Sequence, residues 1–146
     1  DEAKPFLKKG YFLFLYGDDL YHQDDLKSLV NSNEPVVLVK KSKTPELYGV
    51  CLVDEDGYLS SILEKRENPP SDLVNIGVYL MDEEIFSIPK VKLPNGEYNL
   101  AEQIGHWASV RKIRVREARF WHPIGYMEDL EKAHGLLEIP YPERKN

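Results

Sequence analysis

Two aspartates, Asp18 and Asp19, follow Gly17 at the end of the apolar run Tyr11-Phe12-Leu13-Phe14-Leu15-Tyr16. A carboxylate at a strand end, beside a residue with no side chain, can approach a metal-bound phosphate closely. Mg²⁺ is held by a few carboxylates together with phosphate oxygens and water. The same dipeptide also serves as a polar turn that ends a strand. A second pair, Glu64-Lys65, closes another strand-like run. Lysine suits a phosphate as a mobile point charge, and glutamate accepts hydrogen bonds from hydroxyls; a surface ion pair has the same spelling. Neighbours on a strand point to opposite faces, so both reach one ligand only if the strand twists or ends there. Tyr48-Gly49 opens a strand, where the glycine either lets a ligand near the backbone or makes an entry turn. Asn75 and Gly77 interrupt an apolar strand, which signals a bulge or a close ligand. The Asn75 amide then needs partners, from the backbone or from that ligand.

Other chemistries find little support. His22, His106, His122 and His134 form no i, i+4 pair and no glutamate-bracketed zinc motif. His22 is close enough to the aspartate turn to support it from behind, or simply lies at the surface. There is no Gly-x-Ser-x-Gly elbow, no dinucleotide-binding glycine fingerprint and no Walker loop. Cys51 is the only cysteine, so no intrachain disulfide forms and no thiolate metal site can be built; a reducing, cytoplasmic setting is expected. A net charge of −6 argues against a general nucleic-acid binder, which needs a basic patch. The longest apolar run is Tyr11 to Tyr16, far short of a bilayer span, and no signal peptide is legible. The chain begins at Asp1, so the natural start is expected to be processed or absent.

The elements that must position these residues read as α/β. The run from Tyr11 to Tyr16 reads as a strand buried on both faces, as in a parallel sheet. Asp24 or Asp25 is expected to cap a helix to about Asn31, with Leu26, Leu29 and Val30 inward. Val36 to Lys40 is a second buried strand, which makes a strand, helix, strand unit. Gly49 to Asp54 and Leu59 to Lys65 flank Glu55-Asp56-Gly57, a strong hairpin signal. Val74 to Met81 is a further apolar strand, after which Asp82 caps a helical turn. Asn99 caps a helix to about Trp107, Val110 to Val115 suggests a more exposed strand, and a helix from Glu128 to Leu136 closes the unit. Residues 1–139 are expected to form one unit with a hairpin-rich insertion between Thr44 and Pro70, and 140–146 a frayed tail. In an open α/β sheet, ligands sit outside the carboxyl ends of the strands; Asp18 is placed at such an end.

The order of the pieces carries more than any one of them. Phe12-Leu13-Phe14-Leu15-Tyr16-Gly17-Asp18-Asp19-Leu20 resembles the strand and Gly-Asp turn of sugar-1-phosphate nucleotidyltransferases. Pro45 to Val50, Asp54 to Gly57, Ile62 to Lys65, Asn68 to Ser71, Asn75 to Tyr79, Gly96 to Leu100 and Phe120 to Leu130 follow in that family's order and at about its spacing. The similarity covers nearly the whole chain and corresponds to the family's C-terminal half. It implies a partial Rossmann-like, glycosyltransferase-A-like mixed sheet with helices on both faces. It also implies a catalytic pair in Asp18 and Lys65, with Asp18 holding Mg²⁺. Tyr48, Gly49, Glu64, Lys65, Asn75 and Gly77 would bind the sugar and its phosphate, with Glu64 on the hydroxyls and Lys65 on the phosphate.

The implied reaction joins a sugar-1-phosphate and a nucleoside triphosphate into a nucleotide sugar, releasing pyrophosphate. Two departures bear on it. The Gly-rich opening loop and the Pro-Lys of the family's nucleotide-binding half match no stretch here, so the chain alone is expected to be inactive. The family's last metal aspartate falls at Pro123, in Trp121-His122-Pro123-Ile124-Gly125-Tyr126. The alternative is therefore a non-catalytic sugar-phosphate-binding or regulatory relative. The enzyme reading expects an exposed apolar edge where missing strands would pair. The alternative expects sugar-phosphate binding without turnover. A third reading is a homo-oligomer that buries the edge through a symmetric interface.

Overall fold

The computed structural model describes residues 3–7 and 9–137; the expected tail over 140–146 lies outside them. The elements are β1 (Phe12–Leu15), β2 (Leu20–Tyr21), α1 (Gln23–Val30), β3 (Val36–Lys41), β4 (Val50–Val53), β5 (Leu59–Leu63) and β6 (Leu73–Met81). After them come β7 (Val91–Lys92), β8 (Tyr98–Asn99), α2 (Leu100–Ala108), β9 (Arg114–Glu117), β10 (Trp121–His122) and α3 (Met127–Leu137).

β6 is the spine of a six-stranded mixed sheet, in the order β5-β4-β6-β3-β9 with β1 also on β6. β3 runs antiparallel along β6 from Val36↔Leu80 to Lys41↔Leu73. The opposite edge of β6 is shared: β1 takes its end, Leu15↔Val78 to Phe12↔Met81, and β4 takes its start at Val50↔Val74. Among the described residues, β3 and β9 are the one parallel pair.

The sheet is covered on both faces. Val74, Ile76, Val78 and Leu80 alternate onto one face with Leu29 of α1. Tyr79 and Met81 face the other way, with Ile104 and Trp107 of α2. Period-2 alternation along β6 thus feeds two cores. Each fully buried aliphatic side chain contributes about 1.5–3 kcal/mol relative to exposure, so this strand anchors both layers. The Asp54–Tyr58 hairpin forms as expected: the Asp54 carboxylate accepts from the amides of Asp56 at 3.0 Å and Tyr58 at 2.7 Å, and Gly57 sits at φ +82°. Asn99 caps α2 through the Glu102 amide at 3.1 Å, and Asp82 caps the turn after β6 through Glu84 at 3.0 Å.

Three expectations are corrected. β1 is antiparallel and only half-buried, with Leu15 39% exposed. Its apolar side chains pack on both cores, but its outer edge has no strand partner among the described residues. A continuous apolar run reports covered faces and says nothing about edges. α1 is capped by the His22 ring, which accepts from the Asp24 amide at 3.2 Å. Asp24 and Asp25 fall in its first turn, where carboxylates favour the positive helix end, and Val30 points to solvent. The last sheet strand is Arg114–Glu117, because Val110 and Arg111 still bond back to the Trp107 carbonyl at the end of α2. Among the described residues no helix is long and apolar enough to cross a membrane.

Candidate active site

Asp18 and Asp19 occupy the turn between β1 and β2, at the carboxyl end of β1. Their fates differ. Asp19 accepts from the Ile124 amide at 3.0 Å through Oδ1, and from the Trp121 indole at 2.9 Å through Oδ2. The Tyr21 hydroxyl lies 3.4 Å from the same Oδ2 and donates over a shorter 2.9 Å to the Ile76 carbonyl. Asp18 is exposed and makes no hydrogen bond or ion pair with the described residues. One carboxylate is consumed by the fold; its neighbour is left available.

Asp18 opens onto a cavity of about 330 Å³. Asp19, Tyr16, Tyr48, Asn75, Ile76, Trp121 and Pro123 to Gly125 also line it. The small ladder of β2 and β10, Trp121↔Tyr21 and His122↔Leu20, brings the Trp121–Gly125 segment to the aspartate turn. Tyr48 packs edge-on against Trp121, ring centres 5.2 Å apart. Burial raises the Tyr48 hydroxyl above its usual pKa, helped by Asp129 and Asp19.

The Asn75 amide is satisfied within the chain. It donates to the Tyr79 hydroxyl at 2.6 Å and accepts from the Gly77 amide at 3.1 Å, while the Asn75 backbone donates to the Gly49 carbonyl at 2.7 Å. Gly77 has φ +72°, and a Cβ there would stand 2.0 Å from the Tyr16 ring. The glycine answers a packing demand: the Tyr16 ring lies where any larger residue would put its side chain. Gly49 does the same for Glu64, whose Oε1 would lie 2.8 Å from an added Cβ. Burial pushes Glu64 above the usual carboxylate range, with Glu102 adding to the shift and Lys65 opposing it. Tyr16 stands between the two acidic groups. Its hydroxyl is raised first by burial, then by Glu64, Asp18 and Asp19.

Lys65 lies just past the end of β5, exposed, at φ +25°. That left-handed conformation is rare for a residue with a side chain. Glu64 and Arg66 border an adjoining groove with Glu102 and His106, and Lys65 is not among the residues lining the Asp18 cavity. The structure therefore gathers Asp18, Tyr48 and Asn75 on one cavity. It sets Gly49 and Glu64 beside it, Gly77 against the Tyr16 ring, and Lys65 next to Glu64. The sequence assigns no role to Tyr16 or Trp121, and marks Asp19 together with Asp18 as a candidate carboxylate for a metal-bound phosphate, without revealing its bond to Trp121. Asp19 and Trp121 are 102 residues apart, and no local spacing couples them.

The donor set bears on Mg²⁺. Among the described residues no group of three or more histidines, cysteines, aspartates or glutamates converges. Asp19 is engaged with N–H donors, and Pro123 brings no donor side chain. Of the two carboxylates that line this cavity, Asp18 is the one left without a protein partner among the described residues.

The sequence profile of nucleotidyl transferases matches residues 2–138. The chain belongs to the nucleotidyl transferase family. Among its relatives are the bifunctional protein GlmU of Methanocaldococcus jannaschii, 33% identical over 129 residues, and the UTP–glucose-1-phosphate uridylyltransferase AglF of Haloferax volcanii, 29% identical over 140 residues. These alignments cover 86% and 87% of this chain, but 31% and 56% of the relatives. The chain spans about a third of the length of the GlmU relative. A UDP-glucose pyrophosphorylase complexed with UDP-glucose superposes with a TM-score of 0.78 at 21% identity, covering 92% of this chain and 58% of that one. That likeness establishes the mixed α/β nucleotidyltransferase fold. This nucleotidyltransferase chain thus has sugar-1-phosphate nucleotidyltransferases among its homologues.

Proposed function

We propose that this chain carries the sugar-phosphate side of an enzyme that makes a nucleotide sugar and pyrophosphate from a nucleoside triphosphate and a sugar-1-phosphate. The observation that carries the reading is Asp18: an unpaired carboxylate at a strand's carboxyl end, on a cavity walled by Tyr48, Asn75 and Trp121. Asp18 is exposed and serves no contact among the described residues, so its carboxylate stands free at the rim of a polar, aromatic pocket, where a ligand would meet it.

In the reaction, a phosphate oxygen of the sugar phosphate attacks the α-phosphorus of the triphosphate. A P–O bond forms, the bond between the α-phosphorus and the bridging oxygen breaks, and pyrophosphate leaves with that electron pair. Both partners are anions, so alignment and charge neutralisation supply most of the acceleration. Lys65 faces the sugar phosphate as a mobile cation. Glu64 accepts from sugar hydroxyls beside Gly49. Tyr48, Asn75 and the residue at Gly77 border the sugar. Mg²⁺, when bound, would supply charge neutralisation for the phosphates, and Asp18 would be the residue of this chain that holds it. Residues outside these 146 bind the nucleotide, so the 146-residue chain is inactive alone. A homo-oligomer covering the open edge of β1, and a cytoplasmic setting, belong to the same reading.

A second reading has its own support. Pro123 stands where the family's last metal aspartate is expected, and among the described residues no group of three or more metal-ligating side chains converges, which suits a relative that binds sugar phosphate without turnover. The deciding assay mixes the full-length gene product with Mg²⁺, labelled triphosphate and a sugar-1-phosphate, and measures pyrophosphate. Turnover that vanishes in Asp18→Ala supports the enzyme. Sugar-phosphate binding with no turnover supports the binding module. Pyrophosphate release by the 146-residue chain alone would contradict the division of labour.

A further inference from the structure

Asp19, unlike its neighbour Asp18 on the same cavity, is engaged by a distant segment of the chain. The Ile124 amide and the Trp121 indole both donate to it, while the Tyr21 hydroxyl, 3.4 Å away, gives its proton to the Ile76 carbonyl. The first two belong to a single segment on either side of Pro123, more than a hundred residues away in sequence. The β2–β10 ladder that carries this segment has only two residue pairs, too few to fix a wall of the cavity unaided. Trp121 in turn supports Tyr48 edge-on.

From this we infer that Asp19 is a positioning residue: its carboxylate ties the Trp121–Ile124 segment to the turn that carries Asp18, and so sets the aromatic wall of the cavity. An ionised carboxylate has only acceptors to offer. Asparagine has nearly the same shape but turns an NH₂ toward at least one of these donors, leaving it unpaired. The role acts through Trp121 and Tyr48 and requires no contact between Asp19 and a ligand. That the wall serves a sugar phosphate rests on the proposed function; the tie itself does not.

The test uses the ¹⁵N-labelled 146-residue chain as wild type, Asp19→Asn, Trp121→Phe and the double variant. Hydrogen exchange at the Trp121 indole reads the tie directly, and the Trp107 indole, buried in the opposite core, reports whether the fold is intact. Asp19→Asn is expected to speed Trp121 indole exchange about tenfold while Trp107 is unchanged. Glucose-1-phosphate is the binding probe. Asp19→Asn and Trp121→Phe should each weaken its binding, and the double variant should be little worse than Asp19→Asn alone, as coupled partners are. Unchanged Trp121 exchange in a folded Asp19→Asn protein overturns the inference, as do strictly additive losses of binding. If the wild type binds no sugar phosphate, the functional reading fails and the exchange result still decides the tie. If Asp19→Asn does not fold, additivity is lost as a readout. Slow exchange of the Trp121 indole in the wild type, quickened no more than that of Trp107 by mild denaturant, then supports the tie, and fast exchange in the wild type overturns it.

Discussion

Two hollows of nearly equal size lie at opposite ends of β1. The mouth at its carboxyl end measures about 330 Å³ and is walled by Asp18, Asp19, Tyr48, Asn75 and Trp121. The hollow beside its start measures about 310 Å³ and is lined by Phe12, Phe14, Met81, Ile85, Phe86 and Leu100. Volume does not separate them; the treatment of polar groups does. In the mouth, Asn75 and Asp19 are satisfied within the chain, and the Asp18 carboxylate has no partner among the described residues. In the hollow, aromatic rings pack, Phe12 on Phe86 at 5.9 Å, next to a strand edge that no described strand pairs with. The first has the character of a ligand site, the second that of unfinished packing.

That contrast can be broken in several ways. The largest expected effect is Asp18→Ala in the full-length gene product: pyrophosphate release falls by about a thousandfold or more, while the thermal midpoint stays within error, because Asp18 holds nothing in the fold. A large drop in midpoint would place Asp18 with Asp19 as structural. Next, Gly77→Ala forces a side chain to φ +72° and into the Tyr16 ring. Strain and overpacking together should cost about 2–4 kcal/mol in urea unfolding. A neutral result would mean Tyr16 moves freely off the strand. At the other hollow, Phe12→Ala should cost about 1–3 kcal/mol, being half-buried, and leave sugar-phosphate affinity untouched. Weakened binding there would show the two regions to be coupled.

The smallest effect concerns Glu64. Its carboxyl is held above the usual range by burial and by Glu102. The folded protein therefore binds the proton more tightly than the unfolded chain. Its contribution is fully present below the unfolded pKa and is lost as pH rises through the folded one. Glu64→Gln should accordingly raise the thermal midpoint slightly at neutral pH and leave it unchanged in acid. A midpoint that falls at neutral pH would mean the ionised carboxylate has a partner in solution.

Where the chain encodes a feature through neighbours a few residues apart, the sequence was enough. The Asp54–Gly57 turn, the Asn99 and Asp82 caps, and the alternation along β6 depend on backbone conformations and side-chain periods that short stretches specify. The order of motifs specified the family in the same way. Asp18 and Asn75, which share the cavity, were legible as candidates because each breaks a local pattern, a carboxylate at a strand end or an amide in an apolar strand.

Tertiary structure decided what each group is left to do. No local rule distinguishes Asp18 from Asp19; the fold does, by bringing the Trp121 and Ile124 donors to one carboxylate and leaving the other bare. Gly49 and Gly77 likewise look like openings for a ligand until Glu64 and Tyr16, from other strands, are seen to fill the space. Hydrogen-bond satisfaction and steric exclusion are settled between segments far apart along the chain, so a linear reading names the groups, while their freedom emerges only on folding.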